Sequence, residues 1–173
     1  MPKVKRPVSV SEMICDALLR LVESGWSYGS ITIQEIVDEA GVCRNSFYRN
    51  YSSKEEIFQK RFLAICNEAD AAQAVPQHFD FYDIFEAACR KFYQHRRFFR
   101  CFYTADPRSY FDTITGHVIL TNSPGRSPDI SASDYYTYAC RAWIGIGVIT
   151  EWFLRDCDIP IEELVEIVRT HRL

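Results

Sequence analysis

Along the first forty residues, apolar positions return every three or four places between polar runs and glycines, and the pattern predicts helices. Ile14, Ala17, Leu18, Leu21 and Val22 make one stripe over roughly 10–25, the spacing of a helix buried along one face. Ser9 and Glu12 stand as a capping box at its start, with Val8 and Met13 placed to staple it, and Gly25 closes it. A second stripe, Ile33, Ile36, Val37 and Ala40, opens on a Thr32–Glu35 box flanked by Ile31 and Ile36. It stops at Gly41, which adopts the left-handed conformation without a Cβ penalty. Val42 plugs the turn, and a short helix follows from about Cys43 to Tyr51, burying Phe47 and Tyr51 four residues apart. A Ser53–Glu56 box then opens a helix whose first residue is Lys54. It carries Ile57, Phe58, Phe62, Ile65 and Ala69 and extends to about Ala74, before Pro76 breaks it.

Beyond that point the pattern stays helical and becomes aromatic. Phe81–Phe85, Phe92–Phe99 and Phe99–Tyr103 keep helical spacing, which predicts two helices over 79–105 with a break near His95-Arg96-Arg97. Asp106-Pro107 starts another helix to about Leu120, and TNSPGRSPDIS (121–131) is an irregular loop. Ser131 and Asp134 cap a long helix to about Asp156, whose centre, 142–149, is apolar all round and demands burial on several sides. Pro160 starts the last helix, in which Ile161, Leu164, Val165 and Val168 form an i, i+3, i+4, i+7 stripe. No strand pattern and no internal repeat appears. The expected architecture is all-α: a three-helix N-terminal domain over 1–60 and a helical bundle over 61–173.

Two apolar helices at the end of so short a chain carry more apolar surface than one protomer readily covers. Pairing with a second copy into a four-helix bundle would cover it. The face expected there is Ile144, Gly147, Val148 and Trp152 on the long helix with Ile161, Leu164, Val165 and Val168 on the last. Gly145 and Gly147 would permit close approach.

Composition and charge sharpen the picture in one place. The 173 residues carry a net charge of −3, which argues against indiscriminate coating of nucleic acid and requires any such contact to be local. Residues 1–63 hold nine Lys/Arg against eight Asp/Glu, and the remainder eleven against fifteen. From Gly41 to Lys54 there are three basic residues and no acidic one. Arg44, Asn45, Ser46, Tyr48, Arg49 and Asn50 fill the outer face of the short helix with hydrogen-bonding groups. Arg can fork onto guanine and Asn onto adenine, while hydroxyls suit phosphates or base edges. Lys54 at the next helix start has the form of a phosphate clamp.

Thr32, Ile36, Ala40-Gly41-Val42, Phe47-Tyr48, Tyr51, Lys54 and Ile57 together resemble the DNA-binding domain of the tetracycline-repressor (TetR) family of bacterial transcriptional regulators. The resemblance covers about residues 9–60. It implies a helix-turn-helix whose second helix reads the major groove, with Arg44 and Asn45 at base edges and Thr32, Tyr48 and Lys54 at phosphates. Ser46, Arg49 and Asn50 are open to either. Cys43 stands where the family usually has Ser or Thr, and Asn45 and Asn50 also depart from the commonest choices, which makes the operator this chain's own. The family dimerises through its last two long helices, in line with the apolar surplus noted above, and Trp143, Gly147, Glu151-Trp152 and Pro160 resemble a C-terminal type among its short members. A homodimeric repressor on a pseudo-palindromic double-stranded operator, released by a small-molecule inducer, is the expected function. A co-regulator of the same fold controlled by a protein partner is the alternative. An inducer pocket in the bundle would draw on His95, Phe99, Tyr103, Tyr138 and Arg141, with Arg141 or His95 holding an anion. The competing assignment is that these aromatics simply fill the core.

Other chemistries find no foothold in the sequence. The four His and seven Cys show no metal-ligand spacing, no cofactor motif is present, and no nucleophile elbow or glycine-rich phosphate loop suggests an enzyme. The scattered cysteines read as reduced thiols, mostly core. The first ten residues lack an apolar stretch of the export type and no apolar run reaches membrane-spanning length. A cytoplasmic protein is expected.

Overall fold

A computed structural model of the protein describes residues 8–68, 80–122 and 131–171, with residues 119–122 described by their backbone. No strand occurs among the described residues. The chain divides into two compact units, Met1–Glu68 and Ala69–Leu173.

The first unit holds four helices, α1 (Val10–Glu23), α2 (Ile33–Ala40), α3 (Arg44–Asn50) and α4 (Glu55–Asn67). Local chemistry sets their ends. Both expected boxes form at α1 and α2: the Ser9 and Thr32 hydroxyls accept from the Glu12 and Glu35 amides, and each Glu carboxylate accepts from the cap amide in return. Gly41 closes α2 at φ 66°. The staple expected at α1 is absent, since Val8 and Met13 are exposed. The third box differs too. Glu56 reaches back to the Ser52 amide (2.6 Å) and hydroxyl (2.9 Å), not to Ser53, and Lys54 occupies the cap position of α4. A bend over 52–54 places the start of the helix one residue later than expected and brings Ser52 within the carboxylate's reach. The core is Ile14, Leu18, Ile36, Phe47, Ile57, Phe58 and Phe62, all fully buried, with α1 packed against α2, α3 and α4. α4 ends at Asn67, where Glu68 leaves the helical conformation (ψ 120°), and not near Ala74 as expected; the break at Pro76 lies outside the described residues. The expected domain boundary at residue 60 falls inside α4.

The second unit holds α5 (Phe81–Gln94), α6 (Arg96–Ala105), α7 (Pro107–Asn122), α8 (Ala132–Leu154) and α9 (Ile161–Thr170). The break between α5 and α6 is a single residue, His95. Most of the loop expected over 121–131 lies outside the described residues. α8 ends two residues early because Asp156 and Cys157 both turn left-handed (φ 63° and 57°), and the Cys157 amide donates to the Trp152 carbonyl at 2.8 Å. That closure satisfies the last carbonyls of the helix and reverses the chain. The Trp152 indole then donates to the Ile159 carbonyl (2.9 Å) and fixes the approach to α9.

Rings fill the centre of this unit. Phe99 packs against Phe92, Phe98, Tyr110 and Phe153 at centroid distances of 4.4, 5.2, 6.5 and 6.1 Å, within the range where ring pairs attract beyond their area. The Tyr110 and Thr150 hydroxyls meet at 2.9 Å, and Thr150 also donates to the Ile146 carbonyl, so the buried polar pair is satisfied. Of the seven free cysteines, Cys15, Cys89 and Cys101 are buried, Cys66 and Cys157 half-buried, and Cys43 and Cys140 exposed. The core therefore takes fewer of them than expected.

Candidate nucleic-acid interface

α3 is only seven residues long, too short to persist in water by itself. Packing holds it. Phe47 is fully buried beneath it, and Tyr51, which ends it, sends its hydroxyl to the Ser11 carbonyl of α1 at 3.1 Å. With that face anchored, Arg44, Asn45, Tyr48 and Arg49 all point to solvent. Tyr48 keeps half its surface (50%) exposed. Its hydroxyl accepts from Arg44 at 3.2 Å, with the guanidinium 5.7 Å from its ring. The Arg44 guanidinium is thus already partly oriented by Tyr48 in the free protein. At the helix start, the Cys43 sulfur lies 3.2 Å from the Ser46 hydroxyl, which together with nearby backbone N–H groups holds the thiol below its ordinary range.

Not every expected contact residue faces outward unencumbered. Asn50 turns back on its own helix, its amide donating to the Ser46 carbonyl at 2.7 Å. Ser46 is half-buried. Thr32 is exposed, yet its hydroxyl is already shared with Glu35, whose carboxyl is held below the usual range by the Thr32 amide and hydroxyl. Lys54 departs furthest from expectation: its ammonium donates to the carbonyls of Tyr28 (2.6 Å), Ile31 (2.8 Å) and Gly29 (3.4 Å). It also lies 4.5 Å from the Tyr28 ring centre. In the free protein its donors thus face the loop before α2.

Two further cations hold the helix-turn-helix together and were not singled out in the sequence. Arg20 of α1 bonds both the Glu39 carboxylate and the Glu39 carbonyl at the end of α2, and also pairs with Asp16. Lys60 of α4 donates to the Asn50 carbonyl (2.7 Å) at the end of α3, beside the Tyr51 ring and paired with Glu56 at 3.1 Å. A cation at a helix C-terminus is favourable against the macrodipole. Periodic spacing locates the ends of these helices but gives no hint of which cation meets them.

Against this geometry, residues 26–60 match the model of the bacterial regulatory proteins of the tetR family. They form a TetR-family DNA-binding domain. The protein is accordingly a DNA-binding transcriptional regulator with an N-terminal helix-turn-helix. No curated protein matches the sequence. Among solved structures, the fatty acid degradation regulator FadR of Bacillus halodurans is similar over 97% of this chain and 95% of its own, at 16% identity and a TM-score of 0.54. A Clostridium perfringens protein described as a regulator of fatty acid metabolism is similar over 90% and 94%, at 18% identity and a TM-score of 0.49. At such identity the first likeness speaks for a shared fold.

The residues expected to line an inducer pocket are spread across the second unit. Phe99 is fully buried among the rings named above and belongs to the core. Tyr103 is half-buried against Tyr110 and Phe111. His95 sits in the one-residue break between α5 and α6. Tyr138 is half-buried, and Arg141 is exposed with its guanidinium 5.8 Å from the Phe81 ring. Thr115 on α7 buries a hydroxyl that meets no hydrogen-bond partner among the described residues.

The face expected to meet a second copy is partly spent inside the protomer. α9 lays Leu164, Val165 and Val168 onto α5, and Trp152 is buried with its ring stacked 5.5 Å from Tyr93. These four are core residues, because α5 reaches the stripe first. Ile161, Gly147 and Val148 are half-buried and Ile144 stays 37% exposed. Tyr136, Cys140, Ile144, Gly147, Glu151 and Leu154 recur along one side of α8 at helical spacing, and all but Gly147 are exposed. No helix among the described residues is long and apolar enough to cross a membrane.

Proposed function

We propose that the protein is a homodimeric repressor that binds a pseudo-palindromic operator through α3 and is released by a small molecule acting on the second unit. The observation that carries the DNA-reading part is the outer face of α3, where Arg44, Asn45, Tyr48 and Arg49 stand exposed, with no acidic neighbour from Gly41 to Lys54. Arg44 and Asn45 read base edges, and Tyr48, Arg49 and Thr32 meet the backbone. Support for a dimer comes from the uncovered α8 stripe, on which Tyr136 keeps 67% of its surface exposed, a poor state in water for a row that is apolar at every position but Glu151. A Cβ added at Gly147 would meet nothing within 4 Å, so the middle of the stripe leaves room for close approach. Two copies would present their reading helices roughly 34 Å apart, one turn of duplex.

Selection of DNA from a random library by the purified protein, beside an Arg44→Ala, Tyr48→Ala variant, tests the reading. Enrichment of an inverted repeat by the parent alone is the expected outcome. No enrichment at low salt would sink it. Release of the selected operator is then assayed with candidate ligands. A long-chain fatty acid is the first probe, chosen because the Bacillus halodurans neighbour regulates fatty acid degradation.

A further inference from the structure

We propose that the Thr115 hydroxyl of α7 donates a hydrogen bond to an uncharged oxygen on an otherwise apolar small molecule, with the open space beside Gly116 taking part of that molecule's body. The proposal rests on the ligand-release reading above and names the chemistry of the ligand's polar group.

A threonine within a helix has a ready partner for its hydroxyl in the carbonyl three or four residues back. Thr137 and Thr150 use it, donating to the Ser133 and Ile146 carbonyls at 2.9 and 2.7 Å. Thr115 does not. It is 5% exposed, and its Oγ1 meets no hydrogen-bond partner among the described residues. The hydroxyl is withheld both from its own helix and from solvent, a state that costs stability. Tyr110 and Thr150, also buried in this unit, satisfy each other at 2.9 Å and take no part in it.

The next residue supplies room. Gly116 is half-buried within α7, where glycine is unfavourable relative to alanine. A Cβ there would meet nothing within 4 Å, whereas one at Gly145, buried in α8, would meet the Phe85 and Phe81 rings at 3.5 and 3.8 Å. Close helix approach therefore accounts for Gly145 and not for Gly116. Consecutive residues of one helix thus carry an unspent buried donor and open space.

The surroundings set the ligand's class. No charged side chain is buried among the described residues of the second unit. α7 packs against α6 and α8, which bury Phe99, Phe102, Ile146 and Phe153. A carboxylate taken in here would find no counter-charge, and its desolvation would exceed what one hydroxyl returns. A hydroxyl or carbonyl oxygen carries a far smaller penalty, and a single donor can meet it. The exposed Arg141 guanidinium is not required.

The test uses the full chain and three probes that share one ring: toluene, benzyl alcohol and benzoate, with affinities read by ligand-observed NMR. Thr115→Val, nearly the same shape without the hydroxyl, should weaken benzyl alcohol about tenfold and leave toluene unchanged. Thr115→Ser should bind benzyl alcohol as the parent does. Gly116→Leu should weaken both neutral probes by about tenfold or more. Without any probe, Thr115→Val should melt about 2–4 °C above the parent, because an unspent buried donor is gone. A fall in melting temperature would mean that the hydroxyl has a partner in the free fold, and overturns the proposal. It is equally overturned if benzyl alcohol fails to bind, if its affinity survives Thr115→Val, or if benzoate is the probe that the substitution weakens. None of these readings involves DNA. A parent that selects no operator defeats the proposed repressor and leaves them standing, whereas their failure in a parent that does select one defeats this site alone.

Discussion

The two units hold their shapes by different means. In the reader, three cations grip backbone carbonyls: Arg20 at the end of α2, Lys60 at the end of α3 and Lys54 along the loop before α2. In the second unit the comparable work falls to rings, with Phe92, Phe98, Phe102, Tyr110 and Phe153 gathered around Phe99. Carbonyl-directed hydrogen bonds are directional and tolerate little displacement. Ring contacts are numerous, individually weak and forgiving of direction. The contrast suits a domain that must present side chains at fixed separations and a bundle whose first requirement is to bury apolar surface. In the reader, side chains that contribute little to stability should matter greatly to binding. In the second unit the order reverses.

The largest expected effects test whether each unit depends on its own buried ring. Phe47→Ala and Phe99→Ala should each destabilise the chain by about 3–5 kcal/mol, read by denaturant unfolding. At a temperature where both variants remain folded, Phe47→Ala should lose operator binding and Phe99→Ala should keep it. Equal losses of binding would break the comparison. Arg44→Ala should weaken operator binding by about ten- to a hundredfold with little change in melting temperature, as gel shift and thermal unfolding would show.

Smaller effects sharpen the contrast. Tyr110→Phe removes one buried hydroxyl, and Thr150 retains its bond to the Ile146 carbonyl. A stability loss of about 1 kcal/mol follows. Arg20→Met removes an exposed network worth less than about 1 kcal/mol, yet it should reduce operator specificity more than Tyr110→Phe does. The reverse order would show that the reader's clamps serve stability first.

Burial gives the two units one property in common. It pushes the phenols of Tyr51 in the reader and Tyr110 in the bundle up to about 12. The folded chain therefore holds their protons more tightly than the unfolded chain, whose phenols ionise near 10. The stability this provides is complete below about pH 10 and is lost as pH rises from there towards 12. Phenolate absorbance followed together with circular dichroism should show these two tyrosines ionising late, with the loss of helix. All ten tyrosines ionising near 10 with helix intact would refute their burial.

Much of this was legible in the order of residues. Ser9–Glu12, Thr32–Glu35 and Gly41 fix helix ends through contacts only a few residues long, so adjacent sequence contains all the atoms involved. The exposed face of α3 was equally plain, because burial of Phe47 and Tyr51 at i,i+4 dictates what must point away. Periodicity likewise showed that α9 has an apolar stripe. It could not show that α5 of the same chain would cover Leu164, Val165 and Val168 before any second copy did, since a stripe records that a face is buried and not against what. Lys54 illustrates the limit most sharply. A lysine beside a helix start announces a cation, and a phosphate is the obvious partner. In the free protein its partners are backbone carbonyls 23 to 26 residues upstream, groups every residue possesses and no side chain advertises. Sequence by itself determined the helices, the caps of α1 and α2 and the chemistry of the outer face of α3. Only the folded chain decided which cations would stay free for a ligand, because that depends on which carbonyls tertiary packing leaves within their reach.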